Sequence, residues 1–150
     1  MKQKASALIL MIGAAVLTAQ ARADDFPACA AAAAQEFAVP LKLFKAMALA
    51  EGWSDASAES RKQAESRHKY GPMGLGEPAI PVVASGLGVS AASVKEDACT
   101  NYRAAAWWFV NKSGGNRGDM WSAVTRFYYG TPTRTNAYAT ERVKKIYAEL

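Results

Sequence analysis

The stretch Leu41–Trp53, LKLFKAMALAEGW, decides the fold class and poses the functional question. At 3.6 residues per turn, Phe44, Met47, Ala48 and Glu51 fall at i, i+3, i+4 and i+7, so the four share one helical stripe. Pro40 stands where such a helix starts and Gly52 where it ends. The acid therefore points where the apolar side chains point. A carboxylate is rarely buried without a partner, because desolvation disfavours its charged form and pushes its pKa upward. That is the environment a general acid needs.

Working outward, ACAAAAAQEFA, Ala28–Ala38, predicts a first helix: Asp25 is placed to cap it, Pro27 suits its first turn, and alanine is the best helix former. Val39 and Pro40 break the chain, since the residue before a proline avoids the α region. Residues 53–81 are polar, then rich in glycine and proline, and read as a long loop or lid with room for a short helix and a short hairpin. Long irregular segments are uncommon in compact domains and often functional. Helical spacing resumes over Ala79–Gly86. It continues in GVSAASVKEDACTNYRAAAWWFVNKSGG, where Cys99, Tyr102, Ala106, Phe109 and Val110 share a stripe that Ser113-Gly114-Gly115 ends. A further helix is predicted from Asp119 to about Phe127. YYGTPTRTN reads as a turn, and a last helix is predicted from Pro132 onward, with Ala139, Val143, Ile146, Tyr147 and Leu150 on its inner stripe. Outside the loop no strand alternation appears, so the expected class is predominantly all-α.

The chain of 150 residues opens with Lys2 and Lys4, an apolar run from Ala5 to Ala19, and Ala21 and Ala23 in a small-x-small pattern. This predicts a secretory signal peptide over residues 1–23, cut after Ala23, and a periplasmic or secreted domain over 24–150. The alternative, a membrane anchor, needs roughly 18 to 20 apolar residues, more than the run supplies. Cleavage removes Lys2, Lys4 and Arg22 from the 18 basic residues, leaving 15 against 13 acidic and lowering the net charge from +5 to +2. So weak a basic balance, with no arginine-rich run, argues against a nucleic-acid partner. Cys29 and Cys99, the two cysteines of an exported chain, are expected to form a disulfide; the alternatives are a metal pair or a nucleophile. With His68 the only histidine, the zinc set is weak and no strong Cys-His dyad exists, and nothing points to a metal or an organic cofactor.

The ordered set FAVPLKLFKAMALAEGW, YGPMGLGEP, GLGVSAASVKEDACTNYRAAAWW and AVTRFYYGTPTRTNAYATERV resembles the lytic transglycosylase (SLT) family across nearly the whole segment after the leader. The nearest resemblance is to its small single-domain members that accompany type III and type IV secretion, conjugation and pilus systems. The resemblance implies a goose-lysozyme-like helical fold and peptidoglycan glycan strands as substrate. Subunits of a secretion, conjugation or pilus machine are the further partners it implies. It also implies cleavage between N-acetylmuramic acid and N-acetylglucosamine: one glutamate protonates the glycosidic oxygen, then acts as base toward the muramic acid C6 hydroxyl, which closes a 1,6-anhydro ring. Most glycosidases use two carboxylates; here the sugar's own groups replace the second. Glu51 matches the family's acid; Met73, Gly74, Phe127 and Tyr128 occupy its substrate-contacting stretches, and Tyr70, flanking the glycine loop, is a further candidate to line the cleft.

Four positions in three stretches depart from the family pattern. Gly52 replaces a serine, Gly74 a glutamine, and Phe127-Tyr128 a tyrosine-asparagine pair. Two alternatives accordingly stand beside the transglycosylase: a weakened member that binds glycan or a machine subunit, and a lysozyme-type hydrolase, which would need a means of positioning water. Trp53, Trp107, Trp108 and Trp121 suit sugar stacking or core packing, core packing being the commoner use. Glu77 beside the glycine loop is a candidate second acid, and His68, within ESRHKY, reads as a solvated surface residue.

Overall fold

The structure, a computed structural model, describes residues 26–52 and 58–150. The leader, Asp25 and Trp53 lie outside the described residues. Among these the chain forms eight helices and one two-stranded hairpin, the all-α architecture expected. Helix α1 spans Ala28–Glu36 and α2 Leu41–Glu51; α3 spans Ala58–Ser66; strands β1, Lys69–Tyr70, and β2, Leu75–Gly76, follow. Then come α4 Ala79–Leu87, α5 Ala91–Glu96, α6 Ala98–Asn111, α7 Met120–Tyr129 and α8 Tyr138–Glu149. No helix among the described residues is long and apolar enough to cross a membrane.

The caps explain the boundaries. Gly52 ends α2 in the left-handed conformation, φ +66°, which costs glycine nothing. Ser90, Asp97 and Asp119 cap α5, α6 and α7 by accepting the N–H of Ser93, Thr100 and Ser122 at 3.0, 2.7 and 2.7 Å. The stripe from Cys99 to Val110 falls wholly on α6, which starts after Asp97. The Asp97 backbone is extended, so the run divides there into α5 and α6. Pro27 sits at the N-cap of α1 rather than inside its first turn. The loop after Gly52 contains the nine-residue α3 as well as the hairpin. The last helix begins at Tyr138, not Pro132, because residues 131–137 fold into turns: Thr131 Oγ1 donates to Thr133 O at 3.1 Å, and Asn136 is left-handed at φ +58°. Pro81 is tolerated inside α4 because it stands in the first turn, where N–H groups have no helical acceptor.

The alanines of α6 let it run through the middle of the molecule. Ala104, Ala105 and Ala106 are fully buried, and α1, α4, α5 and α7 all pack against this helix. Phe44, Leu43 and Met47 of α2 are equally buried, and α2 packs chiefly on α8, whose Val143 lies in the same core. Phe26, Phe44 and Tyr102 form an edge-to-face trio with centroids 6.1–6.4 Å apart. Trp107, Trp108 and Trp121 are partly buried against the core, Trp121 edge-on to Tyr147 at 5.5 Å. A disulfide joins Cys29 to Cys99 with Cα atoms 5.5 Å apart, tying α1 to α6 across 70 residues. A loop of that length corresponds to about 4 kcal/mol in the chain-entropy account. The forked Arg103–Glu36 pair spans the same two helices, but both side chains are exposed, so it adds little.

Candidate functional site

Glu51 occupies the last turn of α2, and its side chain retains 14% of its exposure. The helical stripe of LKLFKAMALAE explains that burial: Met47 and Phe44, one and two turns earlier, are wholly enclosed. The hairpin closes over the carboxylate from the other side and is held there by Asn101 of α6. Asn101 is completely buried. Its Oδ1 accepts the Met73 N–H at 2.9 Å, and its Nδ2 donates to the Tyr70 and Val94 carbonyls at 3.1 and 2.9 Å. Gly71, left-handed at φ +70°, is needed because any Cβ would collide with the Asn101 side chain.

So pinned, the antiparallel pairs Lys69–Gly76 and Tyr70–Leu75 bring two features to Glu51. Gly74 at the hairpin turn lies directly against the carboxylate, in space that a Cβ would fill. Lys69 places its Nζ 3.7 Å from Glu51 Oε2. Neighbouring residues of a strand face opposite ways, and Tyr70 accordingly meets Lys95, whose Nζ is 4.2 Å from the ring centroid. From α7, Tyr128 completes the surroundings. Its hydroxyl is sealed from solvent and makes no hydrogen bond with the described residues, yet stands close enough to Glu51 for each group to act on the other's proton.

Burial pushes the Glu51 pKa above the ordinary carboxylate range. Lys69, then Tyr128 and Arg142, pull it the other way without cancelling burial. Burial, reinforced by the Glu51 charge, holds the Tyr128 hydroxyl protonated well above the usual tyrosine range. Glu51 therefore sits beside a neutral hydroxyl and a partly exposed cation.

These groups line a cleft of about 370 Å³. Ala50 and Glu51 of α2 line it together with Ser60, Gln63 and Ala64 of α3, Arg67 and Lys69. Tyr128 and the start of α8, with Tyr138, Ala139 and Arg142, close it. Glu51 is the one carboxylate lining it among the described residues. Such a group can give a proton to an atom lodged in the cleft and, once charged, take one back.

Of the residues singled out in the sequence, Glu51, Gly74 and Tyr128 come together. Tyr70, Met73 and Phe127 do not line the cleft. Tyr70 points to the far side of β1; Met73 is wholly buried in the core behind Gly74; Phe127 packs on Phe109 with centroids 6.3 Å apart. Glu77 is about half exposed and paired with Lys95 at 2.8 Å, away from the cleft. His68 is exposed and left-handed at φ +57°, its carbonyl accepting the Glu77 N–H at 3.0 Å. Gly52 has open space around a hypothetical Cβ, so its role is the helix end. Sequence reasoning missed Arg67, Lys69, Arg142 and Asn101. Asn101 lay within the quoted TNYRA run, but nothing local signals that its amide would pin a hairpin. Among the described residues no three His, Cys, Asp or Glu side chains converge to hold a metal ion.

In comparisons with known proteins, no family model, no curated protein and no solved structure matches the chain.

Proposed function

We propose that the protein is a lysozyme-like lytic transglycosylase that cleaves the glycan strand of peptidoglycan between N-acetylmuramic acid and N-acetylglucosamine and leaves 1,6-anhydro-muropeptides. The observation that carries the reading is a buried carboxylate with raised pKa, the only acid lining a cleft among the described residues. One acid is enough for this chemistry. Neutral Glu51 protonates the glycosidic oxygen as the bond to the muramic acid C1 breaks; charged Glu51 then removes the C6 hydroxyl proton, and O6 closes on C1. The same carboxyl begins and ends protonated, and no water is consumed. The Tyr128 hydroxyl, neutral and otherwise unpartnered, is placed to donate to Glu51 while it carries charge. A hydrolase of lysozyme type is less well supported, since among the described residues no second carboxylate lines the cleft to direct a water. The resemblance, rather than the cleft, supports export to the periplasm by the leader and a role in opening the wall for a secretion, conjugation or pilus apparatus.

A second reading, a glycan-binding member with weak or lost catalysis, is favoured by the Lys69–Glu51 pair at 3.7 Å, which stabilises the charged form that cannot donate. One experiment separates the two. The protein and its Glu51→Gln variant are incubated with isolated sacculi, and the soluble products are analysed by mass spectrometry. Anhydro-muropeptides from the parent alone support the transglycosylase; no products from either, with sacculus binding intact, support the binding module.

A further inference from the structure

A cleft built only to protonate a glycosidic oxygen needs no surrounding cations, yet three of its polar lining residues are Arg67, Lys69 and Arg142, against the single charge of Glu51. They come from separate parts of the fold: the turn after α3, strand β1 and helix α8. Lys69 is committed in part to Glu51. Neither the Arg67 nor the Arg142 guanidinium makes a hydrogen bond or ion pair at contact distance with the described residues. Arg103 and Arg126, by contrast, engage Glu36 and the Ser113 carbonyl. Arg142 bears on the Glu51 charge only from beyond contact distance, and two guanidiniums without a contact partner among the described residues match the planar fork of a carboxylate, which a neutral sugar does not offer.

The geometry points to a subsite for carboxylates carried on the glycan, with Arg67 and Arg142 as its specificity-determining residues. This rests on the transglycosylase reading for its substrate and deepens it: the cleft selects anionic strands over neutral ones. The carboxylate has two sources in peptidoglycan, the free acids of the peptide stems and the lactyl acid exposed on muramic acid once the stem is removed.

The test measures binding by titration calorimetry in the Glu51→Gln background, so that ligand is not consumed. The ligands are a stem-bearing peptidoglycan tetrasaccharide, the same tetrasaccharide freed of its stems, and chitotetraose, which is neutral. Replacing both arginines by glutamine is expected to weaken binding of the charged glycans about tenfold, the scale of two exposed ion pairs, and to leave chitotetraose unchanged. At 1 M salt, where the screening length falls to about 3 Å, the difference is expected to vanish. Arg67→Lys with Arg142→Lys keeps the charge without the fork and is expected to fall between. Preference for the stem-bearing ligand alone assigns the stem acids; preference for both charged ligands assigns the lactyl acid. Equal binding of charged and neutral glycans, or a double variant indistinguishable from its parent, overturns the subsite. Release of anhydro products by the protein with native Glu51, without any charge preference, would overturn the subsite alone. Charge preference without products would overturn the transglycosylase and leave the subsite standing.

Discussion

Gly74 stands where the family resemblance places a glutamine, and the structure predicts what restoring a side chain does. The residue is left-handed at φ +56°, a conformation that costs an L-residue about 1–2 kcal/mol. A Cβ there would also meet Glu51 Cδ at 2.8 Å, with Oε2 closer, whereas ordinary contact begins at 3.4 Å. Either the hairpin or the carboxylate must give way. Asn101 holds the hairpin by hydrogen bonds on both sides of Gly71, while the carboxylate is the free end of a flexible side chain. The carboxylate therefore yields. A proton donor misplaced by about 1 Å can lose on the order of 100-fold in rate. Gly74→Ala is thus expected to lower anhydro-muropeptide release about 100-fold while costing about 1–2 kcal/mol in urea denaturation; Gly74→Gln is expected to do the same or worse. Product release is read by mass spectrometry and stability by circular dichroism. If Gly74→Gln matches or exceeds the parent in activity, the glycine is merely a missing substrate contact and the steric reasoning is wrong.

Three further outcomes follow from the same geometry. Asn101→Ala removes three hydrogen bonds and orphans an N–H and two carbonyls, so it is expected to cost about 3 kcal/mol; a loss below about 1 kcal/mol in urea titration would contradict the pinning role. Lys69→Met removes the nearest cation from Glu51, leaving Arg142 and Tyr128 as the other groups that favour its charge. The charged form loses support, the pKa rises, and the alkaline limb of the pH–rate profile is expected to move upward by roughly half a pH unit, since an exposed pair is worth at most about 1 kcal/mol; a downward move or none refutes the electrostatic account. Glu51→Gln is expected to stabilise the protein at neutral pH by about 0.5–2 kcal/mol, as substitutions that relieve a strained active site do. A carboxyl whose pKa is raised on folding is most stabilising below its unfolded pKa and loses that contribution as pH rises through the folded value, so the gain should shrink on acidification; thermal melts at several pH values check the trend.

What the sequence could disclose was set by where its signals are local. The stripe Phe44, Met47, Ala48 and Glu51 is a one-dimensional pattern, and burial follows it through to the carboxylate. Cys29 and Cys99 had no competing thiol. Helix α3 was only loosely anticipated because none of its residues 59–66 is buried, so there is no apolar period to detect. The break at Asp97 was not singled out, although its capping side chain was visible in the DACT run. The late start of α8 depends on a turn about Asn136, which periodicity does not register. The basic wall of the cleft escaped entirely. Arg67, Lys69 and Arg142 lie in polar runs that read as solvated faces, and only the packing of α2 on α8 and the pinning of the hairpin bring them around one carboxylate.

Lys69 links the two proposals. Burial favours the neutral, donating form of Glu51, while Lys69 favours the charged form left after donation. A fixed cation would oppose the first step as much as it helped the second. Lys69 is not fixed: it is 46% exposed, on a long flexible side chain at the start of a two-residue strand. On the proposed reading, a glycan carboxylate entering beside Arg67 and Arg142 offers Lys69 a second partner in the same cleft. Drawing the ammonium toward the ligand weakens its hold on Glu51 at the moment the sugar excludes water, and both changes raise the carboxyl pKa and keep the acid protonated. After donation the new carboxylate competes for Lys69 again and is steadied until it takes the C6 hydroxyl proton. The Lys69→Met profile bears directly on this division: an alkaline limb that stays in place would mean that the cation never governed the proton, and that charge in the cleft serves binding alone.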